Sequence, residues 1–202
     1  MAMKLATWNI NSVRLRAPLV VRFLQEEQPD VLCLQETKCP PGQFPTAAFH
    51  DIGYHHICDR GQSGYHGVAV VSKIPFSETG GRQFCGKDDA RHVSVRLDGR
   101  GTVVHNFYVP AGGDEPDPKI NEKFAHKLAF LDEMTSWFGD GKSHPQGESI
   151  LVGDLNIAPL EQDVWSHKDL LKVVSHTPIE VEKLGRVMDA GQWTDAMRSL
   201  ID

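Results

Sequence analysis

Short continuous runs of apolar residues recur along the chain and predict strands that are buried on both faces of a sheet. We predict strands at residues 3–10, 31–35, 68–72, 93–97, 103–108 and 150–153. The segments between these runs are rich in glycine and proline, which are typical of turns and loops. The pattern therefore predicts several short strands joined by turns.

Three other stretches have apolar residues at helical spacing. Residues 16–28 form the first, with Pro18 in the first turn, where a proline fits a helix. Its predicted apolar face consists of Leu19, Val20, Phe23 and Leu24. Residues 118–138 form the second helix. Its predicted apolar face consists of Ile120, Phe124, Leu128, Leu131 and Phe138.

The third predicted helix has start and stop signals of its own. Residues 177–180 read Thr-Pro-Ile-Glu, a capping-box sequence with proline at the first helical position. We expect this helix to run to about Ala190, with Gly191 as its C-terminal stop. Strands mixed with helices predict an α/β or mixed α+β layered fold. No repeat, linker or low-complexity tract divides the chain, so we expect residues 1–202 to form one domain.

The composition is that of an ordinary soluble globular protein. The 202 residues are 40% hydrophobic and 24% charged, and no apolar run is long enough to span a bilayer. The N-terminus runs directly into a strand pattern, without the layout of a signal peptide. The four cysteines show no CxxC pair and no zinc spacing, and Cys33 lies in an apolar run as a small core residue. This cysteine pattern favours a reducing, cytoplasmic location.

The net charge of −6 argues against a protein that binds nucleic acid by electrostatics alone. The charge is unevenly distributed, because residues 1–100 have 12 Lys and Arg against 10 Asp and Glu. Residues 101–202 have 9 against 17. An acidic chain of this kind can still present a basic face to a phosphate ligand.

Two carboxylates come directly after predicted buried strands. Glu36 follows the run at residues 31–35, and Asp154 follows the run at residues 150–153. The ends of strands are where α/β folds place their ligands. A hard cation such as Mg²⁺ takes one or two carboxylates and keeps several waters. The two residues therefore predict one metal site, and the alternative is that Asp154 caps a turn while Glu36 is a solvated strand end.

Four motifs occur in the order and spacing of a known family. They are Trp-Asn-Ile-Asn at residues 8–11, Leu-Gln-Glu-Thr-Lys at 34–38, Asn-Phe-Tyr-Val-Pro at 106–110 and Gly-Asp-Leu-Asn-Ile-Ala-Pro at 153–159. In these motifs the chain resembles the exodeoxyribonuclease III family of apurinic/apyrimidinic endonucleases, within the endonuclease/exonuclease/phosphatase superfamily. The resemblance covers essentially the whole chain. It implies a four-layer α/β sandwich with two mixed β-sheets packed face to face and helices outside.

The resemblance also implies an activity. Members hydrolyse the DNA phosphodiester 5′ to an abasic site and trim 3′ ends in the 3′→5′ direction, so the implied partner is double-stranded DNA. The implied cofactor is Mg²⁺, for which Mn²⁺ substitutes, and the implied assembly is a monomer. The chemistry is consistent, because a phosphodiester anion repels hydroxide until charge is neutralised and a positioned group activates the water.

The resemblance assigns roles to five residues. Glu36 matches the metal-ligand glutamate, and Asn9 matches the asparagine near the metal and the scissile phosphate. Asp154 matches the aspartate that orients or deprotonates the attacking water, and Asn156 matches its amide partner, which donates to a phosphate oxygen. Tyr108 matches the tyrosine whose hydroxyl reaches the phosphate. The alternatives are a strand-end turn for Asn9 and a core aromatic with a solvated hydroxyl for Tyr108.

Two basic residues are candidates for DNA contact. Lys38 follows the predicted metal-binding strand, and its alternative is a solvated lysine. Arg91 suits bidentate contact with the DNA backbone, and its alternative is a surface salt bridge. The ten histidines show no HExxH or paired metal spacing, so we expect surface or core roles for them.

The chain departs from the family pattern after the last matched motif. Family members carry a further C-terminal segment with an aromatic-rich loop, an Arg-Leu-Asp-His-like strand and a Ser-Asp-His motif, and none of these is present in residues 1–202. We therefore expect an incomplete domain that lacks its C-terminal strands and cleaves abasic sites weakly or not at all. Two other functions stay open: a superfamily phosphatase or phosphodiesterase on inositol or lipid phosphates, and a non-catalytic DNA-binding remnant.

Overall fold

The computed structural model describes residues 2–140 and 148–200, apart from the side chains of residues 78 and 79. The strands are β1 (Leu5–Asn9), β2 (Val31–Gln35), β3 (His56–Arg60), β4 (Val68–Ser72), β5 (Phe76–Gly80), β6 (His92–Leu97), β7 (Val103–Tyr108) and β8 (Ser149–Asp154). The helices are α1 (Val13–Glu27), α2 (Thr46–His50), α3 (Glu122–Gly139), α4 (His167–Leu170) and α5 (Pro178–Gly191), with a 3₁₀ turn at Glu161–Asp163. The described residues divide into two compact units, 2–108 with 148–155 and 109–140 with 156–200.

The first unit contains two four-stranded sheets. The first sheet has the order β1-β2-β4-β3, in which β1 and β2 are parallel and the other neighbours are antiparallel. The second sheet has the order β5-β6-β7-β8, in which β7 and β8 are parallel and the other neighbours are antiparallel. Both sheets are therefore mixed, as predicted.

The first sheet is covered on both faces, which explains why its central strands have continuous apolar sequences. One face packs on α1 and α2 in a cluster that includes Val20, Leu24, Leu32, Leu34 and Phe49. The other face packs on the second sheet in a cluster that includes Cys33, Val70, Val93, Val95 and Val104. This packing fixes the two sheets of the unit against each other and holds their strand ends in place.

The predicted strands at β1, β2, β4, β6, β7 and β8 are confirmed, with ends that differ by a few residues. Strands β3 and β5 were not predicted. Both are edge strands, and their sequences, His-Ile-Cys-Asp-Arg and Phe-Ser-Glu-Thr-Gly, contain many polar residues. These two strands lack a continuous apolar run, so hydropathy alone does not reveal them, whereas the other two edge strands, β1 and β8, carry apolar residues and were predicted.

The first predicted helix exists, but its start was wrong. Helix α1 begins at Val13, so Pro18 lies inside the helix and not in its first turn. Val13 is fully buried and its amide donates to the Thr37 carbonyl, which anchors the earlier start. Leu19 was also wrongly placed on the apolar face, since 47% of it is exposed, whereas Val20 and Leu24 are buried as predicted.

The second predicted helix begins later than predicted. Helix α3 starts at Glu122 because the side chain of Asn121 caps it by accepting bonds from the Lys123 and Phe124 amides. Ile120 precedes the cap and is 74% exposed, so its place on the apolar face was wrong. The other four predicted face residues are buried, namely Phe124, Leu128, Leu131 and Phe138.

The third predicted helix is confirmed as α5, with Pro178 as its first residue. The Thr177 amide donates to the Glu180 carboxylate, as the capping sequence predicts, and the Thr177 hydroxyl donates to the same carboxylate. Gly191 is the last helical residue, and Gln192, in the left-handed conformation with φ 52°, ends the helix one residue later than predicted. Among the described residues, none of the helices has the length and apolar character needed to cross a membrane.

Candidate active site

Four of the predicted site residues lie at the carboxyl ends of four strands in the first unit. Asn9 ends β1, Glu36 follows β2, Tyr108 ends β7 and Asp154 ends β8. Parallel pairing aligns these ends, since β1 and β2 run together in one sheet and β7 and β8 in the other. The register pairs Tyr108 directly with Asp154. The four residues that end or follow strands in the sequence therefore lie close together in the structure.

Hydrogen bonds join these side chains into one cluster. The Asn9 amide nitrogen donates to Glu36 Oε1 at 2.9 Å and to Asp154 Oδ2 at 2.7 Å. The Tyr108 hydroxyl donates to Glu36 Oε1 at 3.0 Å. These contacts bring Glu36 and Asp154 together, whereas the assignment of the cluster as a metal and catalytic site stays a prediction.

The Asn9 side chain contacts the Glu36 and Asp154 carboxylates through its amide nitrogen. Its side-chain oxygen instead accepts a hydrogen bond from the Asn11 amide at 3.2 Å. A metal ligand would use the oxygen, so the geometry here is that of a donor bridging Glu36 and Asp154. The assignment of Asn9 as a metal ligand stays a prediction.

The Glu36 carboxylate is held in its charged form by its neighbours. Burial alone would raise its pKa, but hydrogen bonds from Asn9, Lys38 and Tyr108 and the charge of Lys38 outweigh burial and lower the pKa. Lys38 Nζ lies 2.9 Å from Glu36 Oε2 and donates to Asn11 Oδ1 at 2.6 Å. Lys38 is therefore a partner of the carboxylate within the cluster, and its contact with DNA stays a prediction.

Tyr108 is buried and neutral. Burial and the negative charge of Glu36 raise the pKa of Tyr108 to about 12. At neutral pH its hydroxyl is therefore a hydrogen-bond donor and never a phenolate. His66 lies beside it, with ring centroids 6.2 Å apart, and no sequence pattern pointed to that neighbour.

Arg91 supports Tyr108 from within the protein. Its guanidinium carbon lies 4.9 Å from the centroid of the Tyr108 ring, and its Nη1 donates to the Tyr108 carbonyl at 3.2 Å. Its Nε pairs with the Asp89 carboxylate, and the Arg91 side chain is 8% exposed. Arg91 does form an ion pair, but the pair is buried and is therefore not the surface salt bridge that the sequence left as an alternative. The expected contact of Arg91 with the DNA backbone stays a prediction.

The turn that presents Glu36 has an unusual backbone. Glu36 and Lys38 have φ values of 50° and 46°, in the left-handed region that non-glycine residues rarely adopt. The loops around them fix this conformation, because the Ser12 amide donates to the Glu36 carbonyl and the Thr37 amide donates to the Gly67 carbonyl. Strain of this kind is concentrated at functional sites in proteins.

Gly153 sets the approach of Asp154 to the neighbouring strand. Its φ is 144°, and a Cβ at this position would lie 2.0 Å from the Phe107 carbonyl oxygen. A glycine is therefore required directly before Asp154 for β8 to pair closely with β7. This requirement accounts for the Gly-Asp pair in the sequence motif.

A buried amide network lies between the two sheets just below the cluster. Asn106 donates to the Leu34 and Ala69 carbonyls of the first sheet at 2.9 and 3.0 Å. Gln35 donates to Asn106 Oδ1 at 2.7 Å and to Thr7 Oγ1 at 2.9 Å. We did not predict this network, although amides inside apolar strand sequences were a signal that could have revealed it.

Asn156 lies in the second unit, two positions beyond Asp154 in the sequence. It has a left-handed φ of 52°, and its amide nitrogen donates to the Val109 carbonyl at 2.9 Å. Its own carbonyl accepts a bond from Lys127 Nζ at 2.6 Å. Its predicted role as a phosphate donor stays a prediction.

The oxygen donors of the first unit fit a hard divalent cation. Among residues 2–140 and 148–200, no group of three or more His, Cys, Asp or Glu side chains is placed to hold a metal ion. Mg²⁺, however, needs only one or two protein carboxylates because it keeps several waters. Glu36 supplies one such carboxylate, and Asp154 lies beside it across the Asn9 amide.

The fold and this site together define a class of protein, the two-sheet α/β proteins with a carboxylate cluster at their strand ends. A sequence model of the Endonuclease/Exonuclease/phosphatase family matches residues 6–202 of the chain. The chain therefore belongs to the Endonuclease/Exonuclease/phosphatase family.

Two curated relatives of the chain carry the names of nucleases. It is 31% identical over 169 residues to exodeoxyribonuclease III of Haemophilus influenzae, covering 80% of this chain and 60% of that protein. It is 29% identical over 210 residues to the DNA repair nuclease APEX1 of Danio rerio, covering 98% of this chain and 63% of that protein. The chain thus spans less than two thirds of the length of these relatives.

Solved structures share the fold. An AP endonuclease from Archaeoglobus fulgidus is 32% identical with a TM-score of 0.88, and the match covers 98% of this chain and 74% of that one. A 3′-5′ exonuclease from Neisseria meningitidis is 30% identical with a TM-score of 0.86 and the same coverage. These similarities confirm the α/β fold with two mixed sheets and flanking helices that the sequence predicted.

Proposed function

We propose that the chain carries the site of a divalent-metal-dependent phosphodiesterase that acts on DNA. The proposed reactions are hydrolysis of the phosphodiester 5′ to an abasic site and 3′→5′ exonucleolytic trimming. The observation that carries the proposal is the bridge that Asn9 makes between Glu36 and Asp154 at the strand ends. The names of the relatives, an exodeoxyribonuclease and AP endonucleases, support the same substrate class.

The proposed cofactor is Mg²⁺, with Mn²⁺ as a substitute, and Glu36 and Asn9 would hold it. When bound, such an ion neutralises phosphate charge and acidifies water. The chain's own residues supply the rest. Asp154 orients the attacking water and accepts its proton, while the neutral Tyr108 hydroxyl donates a hydrogen bond to a phosphate oxygen. Asn156 donates a second bond to the phosphate.

Lys38 and Arg91 complete the proposed electrostatics. Lys38 balances the charge of Glu36 and, in the proposal, turns to a phosphate when DNA binds. Arg91 contacts the Tyr108 ring and donates to the Tyr108 carbonyl. Its proposed contact with DNA is a second role besides this support of Tyr108. The proposal further places the protein in the cytoplasm as a monomer. The cysteine pattern of the sequence, without a CxxC pair or zinc spacing, supports a reducing compartment.

A second candidate function is removal of a 3′ phosphate from DNA. It is favoured by the similarity to a solved 3′ phosphatase from Neisseria bound to product DNA hairpin, which is 29% identical with a TM-score of 0.87. The same strand-end site would serve both reactions, because each transfers a phosphate group to water. The two differ in the substrate group held at the site.

The test compares four substrates with Mg²⁺ and the protein expressed from its complete reading frame. They are an abasic duplex, a duplex with a recessed 3′ hydroxyl end, a duplex with a 3′ phosphate and an inositol phosphate. We expect cleavage of the abasic duplex and trimming of the 3′ end. Release of phosphate from the third substrate alone would favour the 3′ phosphatase, and turnover of the inositol phosphate alone would contradict both DNA functions.

A further inference from the structure

A fully buried ion pair lies in the second unit. Lys127 of α3 and Glu180 of α5 are both 0% exposed, with Nζ and Oε1 2.5 Å apart. Removing two charges from water is costly, and a buried pair gives little net stability compared with apolar side chains. Both helices also bury apolar side chains, among them Leu131 of α3 and Leu184 of α5.

The partners of Lys127 are backbone and side-chain oxygens from three loops. Its ammonium donates to the Asn156 carbonyl at 2.6 Å, to the Ala111 carbonyl at 3.2 Å and to Ser175 Oγ at 3.4 Å. Glu180 in turn accepts bonds from the Ser175 and Thr177 amides. The pair therefore satisfies its charges by binding segments that approach it from different parts of the unit.

Two of these segments directly follow strands of the proposed site. Ala111 comes three positions after Tyr108, and Asn156 comes two positions after Asp154. Asn156 is held at both ends, since its carbonyl accepts from Lys127 and its amide nitrogen donates to the Val109 carbonyl. These two bonds stabilise its left-handed backbone, with φ 52°, and fix the direction of its side chain.

We propose that Lys127 is a positioning residue for catalysis, which holds the backbone of Asn156 so that the Asn156 amide is aimed at the phosphate. The inference rests on the proposed function, because it takes Asn156 to bind the scissile phosphate. Lys127 is buried and acts through Asn156 without touching the substrate. Glu180 holds the ammonium in place, and the Ser175 and Thr177 amides hold Glu180.

The test is a mutant cycle on the protein expressed from its complete reading frame. Lys127→Met keeps the length of the side chain and removes the charge, Asn156→Ala removes the amide, and the third variant has both changes. Single-turnover cleavage of an abasic duplex is measured with saturating Mg²⁺. We expect Lys127→Met to slow cleavage by about 10–100-fold, the usual effect of losing a residue that orients a site group, with a much smaller change in KM.

The double variant decides how Lys127 acts. If Lys127 works through Asn156, the double variant will cleave no more slowly than Asn156→Ala alone. Losses that multiply would show that Lys127 acts independently of Asn156, and an unchanged rate in Lys127→Met would show that it has no role; either result overturns the inference.

A matched control separates positioning from stability. Lys183 of α5 forms an ion pair with Asp132 of α3, so it joins the same two helices through a different ion pair. Lys183→Met should leave the cleavage rate unchanged. If Lys183→Met slows cleavage as much as Lys127→Met does, the effect belongs to helix packing and the inference fails.

A paired variant guards against misfolding of Lys127→Met. Lys127→Met with Glu180→Gln leaves no lone buried charge, so it should be more stable than Lys127→Met alone while cleaving just as slowly. Recovery of the rate together with stability would overturn the inference. A wild-type protein that cleaves none of the DNA substrates would overturn both this inference and the proposed function. If the wild type is active and the rate losses of Lys127→Met and Asn156→Ala multiply in the double variant, this inference alone is overturned.

Discussion

At the residue scale, the candidate site is a set of side chains that fix one another's charge and direction. The Asn9 amide donates to two carboxylates, and the neutral Tyr108 hydroxyl donates to one of them. Glu36 stays ionised because these donors and Lys38 lower its pKa in spite of burial. The cluster therefore presents negative charge in a defined position, which is what binding of a divalent cation requires.

Glu36 should be a direct metal ligand. Glu36→Gln keeps the shape of the side chain and removes one charge from a site with few carboxylates, so Mg²⁺ affinity should fall at least about tenfold. Calorimetric titration of the protein with Mg²⁺ measures this without any substrate. Glu26→Gln, on the exposed end of α1, serves as the control and should titrate like wild type. An unchanged titration of Glu36→Gln would rule out the ligand role.

The buried tyrosines should make stability fall at high pH. Burial raises the pKa of Tyr54 and Tyr108 to about 12, from 10.0. The neutral forms are therefore favoured in the folded state, so this contribution to stability is complete below pH 10 and is lost as the pH rises towards 12. Urea unfolding of wild type and Tyr54→Phe from pH 8 to 11 tests this. The free energy of unfolding should fall less steeply in the variant above pH 10, and equal slopes would contradict the prediction.

Much of this site could be predicted from residue patterns alone, because each of its main members ends or follows an apolar strand run. Glu36 and Asp154 could be paired in advance on that basis. The left-handed backbone of Glu36 could not, since nothing in its residue type favours a φ of 50°. The support of Tyr108 by Arg91 was also unpredictable, because it depends on which residues the folded sheet brings under the ring.

At the element scale, sequence patterns located the apolar strands and the long helices but not the polar edge strands or the exact helix starts. Strand β2 is apolar up to its last residue, Gln35, whereas the edge strand β3 is largely polar, so only β2 gives a hydropathy signal. Helix starts depend on local contacts that a periodic pattern does not contain. The Asn121 cap prevents α3 from starting earlier in the sequence. The bond from the Val13 amide to the Thr37 carbonyl lets α1 start earlier than predicted.

Pro18 inside α1 gives a direct test of the corrected helix start. A proline within a helix lacks the amide that would donate to the preceding turn and costs up to about 3 kcal/mol, partly offset by restriction of the unfolded chain. Pro18 is exposed, so Pro18→Ala removes little packing. We expect the free energy of unfolding to increase by about 1–2 kcal/mol in urea titrations. A decrease would indicate that Pro18 lies at the helix start after all.

At the scale of the whole molecule, charge and function are in apparent conflict. The chain has a net charge of −6, and the proposed substrate is a polyanion. The excess of acidic residues lies in residues 101–202, while residues 1–100 have more basic than acidic residues. Overall charge therefore does not exclude DNA binding, because the local field at the binding surface decides association.

Binding to DNA should depend on salt in spite of the negative net charge. Each phosphate that the protein neutralises releases counterions, so log affinity should fall with log salt at about 0.9 per phosphate. Fluorescence anisotropy of a labelled abasic duplex between 50 and 200 mM KCl, with Ca²⁺ in place of Mg²⁺ to prevent cleavage, measures the slope. A flat dependence would exclude a binding mode led by backbone phosphates.

The most direct test of the account is the effect of Asp154→Asn on chemistry and on binding, measured separately. The assay follows single-turnover cleavage of an abasic duplex with Mg²⁺, and the Kd for the same duplex, in the protein expressed from its complete reading frame. Asp154 is proposed to act on the attacking water, so turnover should fall about 10²–10⁴-fold while the Kd changes little. A parallel loss of turnover and affinity, or cleavage at the wild-type rate, would contradict the proposed role of the cluster.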